Sequence, residues 1–468
     1  MGLIGGLKAV GGIAALAFAF GFADASRADT IEAALVRAYQ NNPQLNAQRA
    51  SVRATDETVP QALSGYRPRI AVTASVGEQY SETTTVSRVN DPPNYTRLRG
   101  ANAPRSVGAT ISQTLFNGNQ TSNRVRAAES QVSAAREGLR VLEQTVLLSA
   151  ATIYMDYLRD AAIVEVQRSN VRVLEQTLKQ TRDRFSVGEV TRTDVAQSEA
   201  QLAASQTQLL TAESNLTTTR ANFRRIIGNE PTALAPGTPV DRFLPPTLSG
   251  AVELGMIQNP NVTAAMYGID VSFLNVKVAE GALFPTVSLV GSIQQSYETS
   301  LVALKTLNAS AAAQLSIPVY QGGGEYALIR QSKETLAQQR LVLDQTRDQA
   351  RANVTQAWGQ LQAAKAQISS AQAQVTASET ALNGVREEAR VGQRTTLDVL
   401  IAQQQLVSAR INIVTAQHDR VVASYAVLTA IGRLSPQVLG LGTTVYDPSV
   451  HYHQVRDAWI GVRTPDGR

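Results

Sequence analysis

The chain has 468 residues, 43% hydrophobic and 17% charged, and it contains no cysteine. That composition excludes disulfide scaffolds, thiol catalysis, thiolate metal sites and a lipid anchor on an N-terminal cysteine. Its net charge of +5 is spread without any Lys/Arg block, which excludes a nucleic-acid groove, and its three histidines (His418, His451 and His453) leave little for a multi-histidine metal centre.

Residues 1–28 read as a secretory signal peptide. Lys8 precedes an apolar run at 10–22, and Ala23-Asp24-Ala25 and Ser26-Arg27-Ala28 are small-x-small cleavage sites. The run is shorter than the roughly 20 residues that a spanning helix needs. The mature chain is expected to start near Ser26 or Asp29, outside the cytoplasm, with a short helix at about 31–63.

A β-hairpin is expected at about 68–116. Ile70, Val72, Ala74 and Val76 alternate with Ala71, Thr73, Ser75 and Gly77. Val107, Ala109, Ile111 and Leu115 alternate with Ser106, Gly108, Thr110 and Ser112. Strands of about ten residues with one apolar and one small polar side fit a transmembrane β-barrel. Between them lies a long loop carrying Arg88, Arg97 and Arg99, expected to face outside.

Residues 105–230 contain no proline and are rich in Ala, Gln, Glu, Arg and Leu, which favours helix. Val187-Gly188 breaks the block, since glycine suits a left-handed helix cap. Thr191-x-x-Asp194 then opens a new helix. The block reads as a helical hairpin at about 119–228, with a first arm roughly 100 Å long at 1.5 Å per residue.

The same order is then written again. Asn42-Pro43 returns as Asn259-Pro260, and Arg67-Pro68 as Phe284-Pro285, 217 positions later. Leu115-Phe116-Asn117-Gly118 returns as Val319-Tyr320-Gln321-Gly322, Val187-Gly188 as Val391-Gly392, and Asp194-Val195 as Asp398-Val399, 204 positions later. The offset changes once, so the first copy has the longer external loop. The reading divides the chain into a first repeat at 29–247, a second at 248–434 and a tail at 435–468. The second repeat holds a helix at about 248–280, a β-hairpin at about 285–320 and a helical hairpin at about 323–432. Its strands alternate at Val287, Leu289, Gly291 and Ile293, then at Ala311, Ala313, Leu315, Ile317 and Val319. Tyr80 and Tyr297 at one end of the strands, and Phe116 and Tyr320 at the other, take the places of interfacial aromatic girdles. The tail packs along the helices or is disordered. Its His451-x-His453 is too sparse for a metal site.

The fold class is therefore a mixed α/β membrane protein with an internal duplication: four strands per chain in a β-barrel, continued by a long helical barrel of coiled hairpins. Four strands do not close a barrel, and open edges are not viable in lipid, so the chain must oligomerise. Three chains would supply twelve strands. A porin would have short periplasmic turns, which the proline-free blocks contradict. A secreted coiled-coil structural protein would leave the strands and their tyrosines unexplained. No triad, phosphate loop or cofactor motif points to an enzyme.

Asn42-Pro43, Arg67-Pro68, Leu115-Phe116-Asn117-Gly118, Arg184-Phe185-Ser186-Val187-Gly188, Thr193-Asp194-Val195, Pro318-Val319-Tyr320-Gln321-Gly322-Gly323 and the run from Val391 to Leu400 together resemble the TolC family of outer-membrane efflux and type I secretion channels. The resemblance spans about 31–434. It implies a homotrimer in outer-membrane lipid, with the helical barrel in the periplasm. The implied partners are a periplasmic adaptor and an inner-membrane pump of the resistance-nodulation-division, ABC or major facilitator type. It implies a periplasmic entrance gate at Asp194, Arg394 and Asp398, with Arg394 linked to Asp194 and Asp398 narrowing the entrance. Val187, Gly188, Val391 and Gly392 would be the tips where the adaptor docks. The chain departs from the family pattern at Ile401, where a second ring carboxylate often stands, and at Ala389, where a tyrosine often does.

Overall fold

The computed structural model describes residues 29–87, 94–465 and 467. The expected signal peptide and Arg88 of the external loop lie outside these residues. In chain order the first repeat runs α1 (Ile31–Asn41), α2 (Pro43–Asp56), α3 (Thr58–Leu63), β1 (Arg69–Val76), β2 (Gln79–Ser87), β3 (Asn94–Asn102), β4 (Arg105–Asn117), α4 (Gln120–Ser186) and α5 (Arg192–Ile227). The second runs α6 (Leu248–Gln258), α7 (Pro260–Gly281), β5 (Thr286–Ser300), β6 (Ala303–Ser316), α8 (Gly324–Arg390) and α9 (Thr396–Ile431). The tail adds α10 (Pro436–Leu439) and α11 (Ser449–Val455).

The single helices expected at 31–63 and 248–280 are broken. Asn42 and Asn259 adopt extended backbone (ψ 120° in both), as a residue before proline must, and each caps the helix that follows. The Asn42 Oδ1 accepts the Gln44 and Leu45 N–H groups at 2.9 and 3.2 Å, and the Asn259 Oδ1 accepts the Asn261 N–H at 2.9 Å. Pro43 and Pro260 take the first helical position, where no N–H is needed. A further break at Glu57 separates α2 from α3.

The long arms α4 and α8 have 67 residues each, roughly 100 Å at 1.5 Å per residue. The returning arms α5 and α9 have 36 each. The short helices occupy the length the returning arms leave free: α2 and α3 lie against α4, and α7 lies between α4 and α8. Across the wall the helices follow in the order α5, α4, α9, α8. The core lies at mid-length, where α1 and α6 cross the wall. Tyr39, Leu147, Tyr154, Phe223, Leu428 and Leu434 are fully buried in one cluster, and Ala251, Val354, Leu361 and Ile431 form a second.

The strands form one antiparallel sheet in the order β1-β4-β5-β6. Its register brings Ile70, Ile111, Gly291 and Ala311 abreast on one face, with Val72, Ala109, Ile293 and Ala309 in the next row. Ile70, Val72 and Val76 are 71%, 73% and 80% exposed, so this apolar face has no protein partner within the chain. The opposite face is small and polar, with Ser75 bonded to Ser106 at 2.8 Å and Ser292 to Ser310 at 2.9 Å. Among the described residues no helix is long and apolar enough to cross a membrane, so the sheet is the element fitted to do so.

Two expectations change here. The described residues of the long external loop form a ribbon of β2 and β3, which pair with each other and not with the sheet. Tyr80 therefore lies on this ribbon. At its base Glu298, in left-handed backbone (φ 51°), accepts from Arg105 at 2.7 Å and from the Ala103 N–H at 3.4 Å. Second, β6 ends at Ser316, because Pro318 has no donor for the ladder. Ile317, Val319 and Tyr320 thus follow the strand instead of continuing it.

Gly118 and Gly322 hold matching places where a strand hands over to a long arm, and both are left-handed (φ 62° and 73°). A Cβ on Gly118 would lie 2.3 Å from the Gly281 carbonyl oxygen, whereas one on Gly322 meets nothing within 4 Å. Gly322→Ala is expected to cost only the left-handed strain of about 1–2 kcal/mol. Gly118→Ala is expected to cost clearly more, read as a lower dissociation temperature of the assembled barrel on heated SDS gels. Equal temperatures would contradict it.

Candidate functional site

The two helical turnarounds are built alike. The first arm ends at Ser186, Gly188 turns left-handed (φ 80°), and the Glu189 N–H closes on the Arg184 carbonyl at 3.0 Å. In the second copy α8 ends at Arg390, Gly392 has φ 81°, and the Gln393 N–H closes on the Glu388 carbonyl at 2.9 Å. A Cβ on either glycine would meet nothing within 4 Å, so only the backbone conformation demands glycine there. Val187 and Val391 protrude at 71% and 66% exposure. The four expected tip residues thus form two exposed knuckles.

Asp194 and Asp398 each stand at the third position of the returning helix in a full capping box. The Asp194 carboxylate accepts the Thr191 N–H at 2.9 Å and hydroxyl at 2.7 Å, and Asp398 accepts the same groups of Thr395 at 3.0 and 2.9 Å. Those bonds hold both carboxyls below the usual carboxylate range, so both stay charged at neutral pH. Arg394 Nε donates to Glu388 at 2.9 Å, which raises its already high pKa. Within the chain Arg394 is thus paired with Glu388 on its own turnaround and Asp194 with Thr191, and the two are not bonded to each other. Ala389 is half-buried and Ile401 is 49% exposed. One pattern was not anticipated. Arg184, which pairs with Glu189 at 2.9 Å, holds the place that Glu388 holds in the second copy. The two kinds of tip therefore carry opposite charges at equivalent positions.

Two buried polar networks above the tips were not singled out from sequence. Arg386 donates to Gln403 at 3.0 Å, Gln403 to Asn170 at 3.2 Å and Asn170 to Ser205 at 3.1 Å, joining α8, α9, α4 and α5 in one chain of bonds. Higher up, His418 of α9 has Nε2 2.9 Å from Asp156 on α4 and Nδ1 2.8 Å from Asp419. Arg159 bonds Asp156 and Asp160, and the Thr219 hydroxyl of α5 donates to Asp160 at 2.6 Å. Burial works to lower the pKa of His418, but the bonds to Asp156 and Asp419 outweigh it, so the pKa is raised. With carboxylates on both nitrogens, the imidazolium satisfies both bonds at once.

A sheet with one bare apolar face, joined end to end with a helical wall about 100 Å long, defines a membrane channel that continues away from the bilayer. The chain belongs to the outer membrane efflux protein family, which matches residues 34–229 and 253–433. It is 41% identical to the outer membrane efflux protein BepC of Brucella suis, over 95% of this chain and 94% of that protein. It is 26% identical to the outer membrane protein TolC of Vibrio cholerae, over 86% and 90% of the two chains. The fold matches the crystal structure of the Campylobacter jejuni CmeC outer membrane channel with a TM-score of 0.76, at 16% identity, over 91% and 89% of the chains. The protein is thus an outer-membrane channel of an export system, with its β-barrel in that membrane and its helical barrel in the periplasm.

The His418 network makes a signed pH prediction. A raised folded pKa gives stability that is fully present below the unfolded value of about 6.5 and is lost as pH rises through the folded value. His418→Asn is therefore expected to lower the thermal transition of the helical barrel at pH 6 and to lower it less at pH 9. An equal loss at both, by circular dichroism, would show that His418 acts by packing alone.

Proposed function

We propose that three copies of the chain close into one duct that receives small toxic molecules from an inner-membrane pump through a periplasmic adaptor. The observation that supports this best is the pair of free sheet edges, β1 and β6, flanking an apolar face. Directions alternate along β1-β4-β5-β6, so β6 of one chain meets β1 of the next antiparallel, and the alternation continues round the ring. Three chains then give twelve strands and no edge, as lipid requires. At the other end α5 and α8 lie at the two margins of the helical wall, each with one side unpartnered in the chain. Joining them closes the helical barrel under the same threefold axis.

The small polar face, with Thr73, Ser75, Ser112, Ser288 and Ser292, lines the lumen. Such a lining selects weakly, so cargo choice belongs to the pump. The pump is of the resistance-nodulation-division, ABC or major facilitator type. The 41% identity to a protein named for efflux favours small-molecule cargo over a secreted polypeptide.

Threefold symmetry brings the three Asp398 carboxylates towards the axis, where a ring of like charge favours multivalent cations. Closure links Arg394 of one subunit to Asp194 of the next, and opening breaks those links as the second hairpins untwist. The knuckles at Val187-Gly188 and Val391-Gly392 receive the adaptor.

Deleting the gene is expected to raise ethidium accumulation, with restoration by the wild-type gene. Unchanged dye with a missing secreted protein would replace efflux by protein secretion. Asp398→Asn is expected to weaken block of single-channel current by trivalent cations applied from the periplasmic side, and unchanged block would remove Asp398 from the entrance. Gly188→Val and Gly392→Val are expected to reduce adaptor crosslinking, while retained crosslinking in both would place docking elsewhere.

A further inference from the structure

Near the end of the described residues, three exposed apolar side chains follow one another closely in the chain. Trp459, Ile460 and Val462 are 67%, 97% and 100% exposed. The chain leading to them is tied down. His451 Nδ1 lies 3.0 Å from the Asp56 carboxylate, both residues being buried, and Arg136 reaches the same carboxylate at 3.8 Å. Arg456 follows, 3.5 Å from Glu129 on α4. Finally Arg67 donates to the Ala458 carbonyl at 2.6 Å, and its guanidinium lies 4.7 Å from the centre of the Trp459 ring.

Arg67 marks the place. It stands between α3 and β1, where the helical wall hands over to the membrane sheet. It also stands on the lipid side of that sheet. Gln113 shares the parity of Ile111, and its register partner is Leu289, so its side chain belongs to the apolar face. That side chain donates to the Tyr66 carbonyl at 3.2 Å, which draws the turn carrying Arg67 to the same face.

The duplication then exposes a gap. At the place of Arg67 the second copy carries Phe284, which is 53% exposed. At that position the first repeat has a cation instead, and the tail lays an indole on it, at the same end of the barrel as Phe116 of β4, which is 42% exposed. We propose that Trp459, Ile460 and Val462 insert into the periplasmic leaflet of the outer membrane, where the Trp459 indole supplies an interfacial aromatic at the position that Phe284 holds in the second repeat. The ligand is a phospholipid surface: indole and aliphatic groups enter at the headgroup level, while Arg67 and Arg463 keep their charged ends among the phosphates.

The chain has two tryptophans, so each can report alone. Trp358 lies on α8, partly buried against the mid-length core. The full-length protein would be reconstituted into phosphatidylethanolamine–phosphatidylglycerol vesicles with and without dibrominated acyl chains, and assembly confirmed by heat-modifiable migration. W358F, which leaves Trp459, is expected to lose roughly half its emission in brominated vesicles and to resist iodide, as an interfacial indole does. W459F, which leaves Trp358, is expected to be quenched little by bromine. Quenching of Trp459 by iodide and not by bromine would overturn the proposal, as would equal bromine quenching of both. If W358F fails to assemble, a nitroxide on I460C in this cysteine-free chain replaces it. Greater collision with oxygen than with a water-soluble nickel chelate would support insertion, and the reverse order would overturn it.

Discussion

Inside a bilayer no water is available to the peptide groups, so every N–H and C=O of a spanning segment needs a partner within the protein. This one constraint organises the molecule. A sheet of four strands leaves two rows of unpaired groups at its edges, and among the described residues there is no further strand to place there, because β2 and β3 pair only with each other. In the proposed trimer the deficit of one chain is met by the next, and the long helices inherit the symmetry that the sheet imposes.

How the helical wall keeps its register is a second matter. Its surface is rich in Ala, Ser, Thr and Gln, and such a wall has little apolar volume to fix one helix against another. The fixed points are the mid-length core around Tyr154 and Phe223 and two sets of buried polar groups. The bond chain Arg386–Gln403–Asn170–Ser205 holds only when all four helices are in one alignment, since a shift leaves buried groups unsatisfied. Nearer the tips the bond from Gln201 to Gln404, the Arg182–Glu199 pair and the small cluster of Leu382, Ala402 and Leu406 add to it, and exposed capping boxes order the turnarounds themselves.

Much of this was legible in the sequence because it was written twice. The proline-free blocks contain the arms, since proline is intolerable in them, and Val187-Gly188 and Val391-Gly392 stand at the turns, where glycine is demanded. The alternation of Ile70, Val72 and Val107 against Ser75 and Ser106 gave the faces of the sheet. The broken short helices were less legible. The pairs Asn42-Pro43 and Asn259-Pro260 were noticed as repeat markers, yet their capping geometry was not drawn from them. The external ribbon was read as a loop, because its threonines and arginines alternate without an apolar face. The partners of His418 and Asn170 could not be read at all. They depend on which residues face each other across helices more than 230 positions apart, and pattern within one helix carries no such information. At the candidate gate the sequence placed Asp194 and Asp398 at helix starts, while the charge reversal between Arg184 and Glu388 lies at the same 204-residue offset and was not drawn from it.

The ribbon of β2 and β3 has no counterpart among the described residues of the second copy, and its base is held to the sheet by the Glu298 clamp and the bond from the Gly77 N–H to the Pro104 carbonyl. Its residues answer to neither the ladder in the bilayer nor the threefold closure. They are also the part that the outside world meets first. Selection from outside can therefore rewrite this segment freely while the duct beneath it stays the same, and divergence between strains should gather there before it reaches any strand of the barrel.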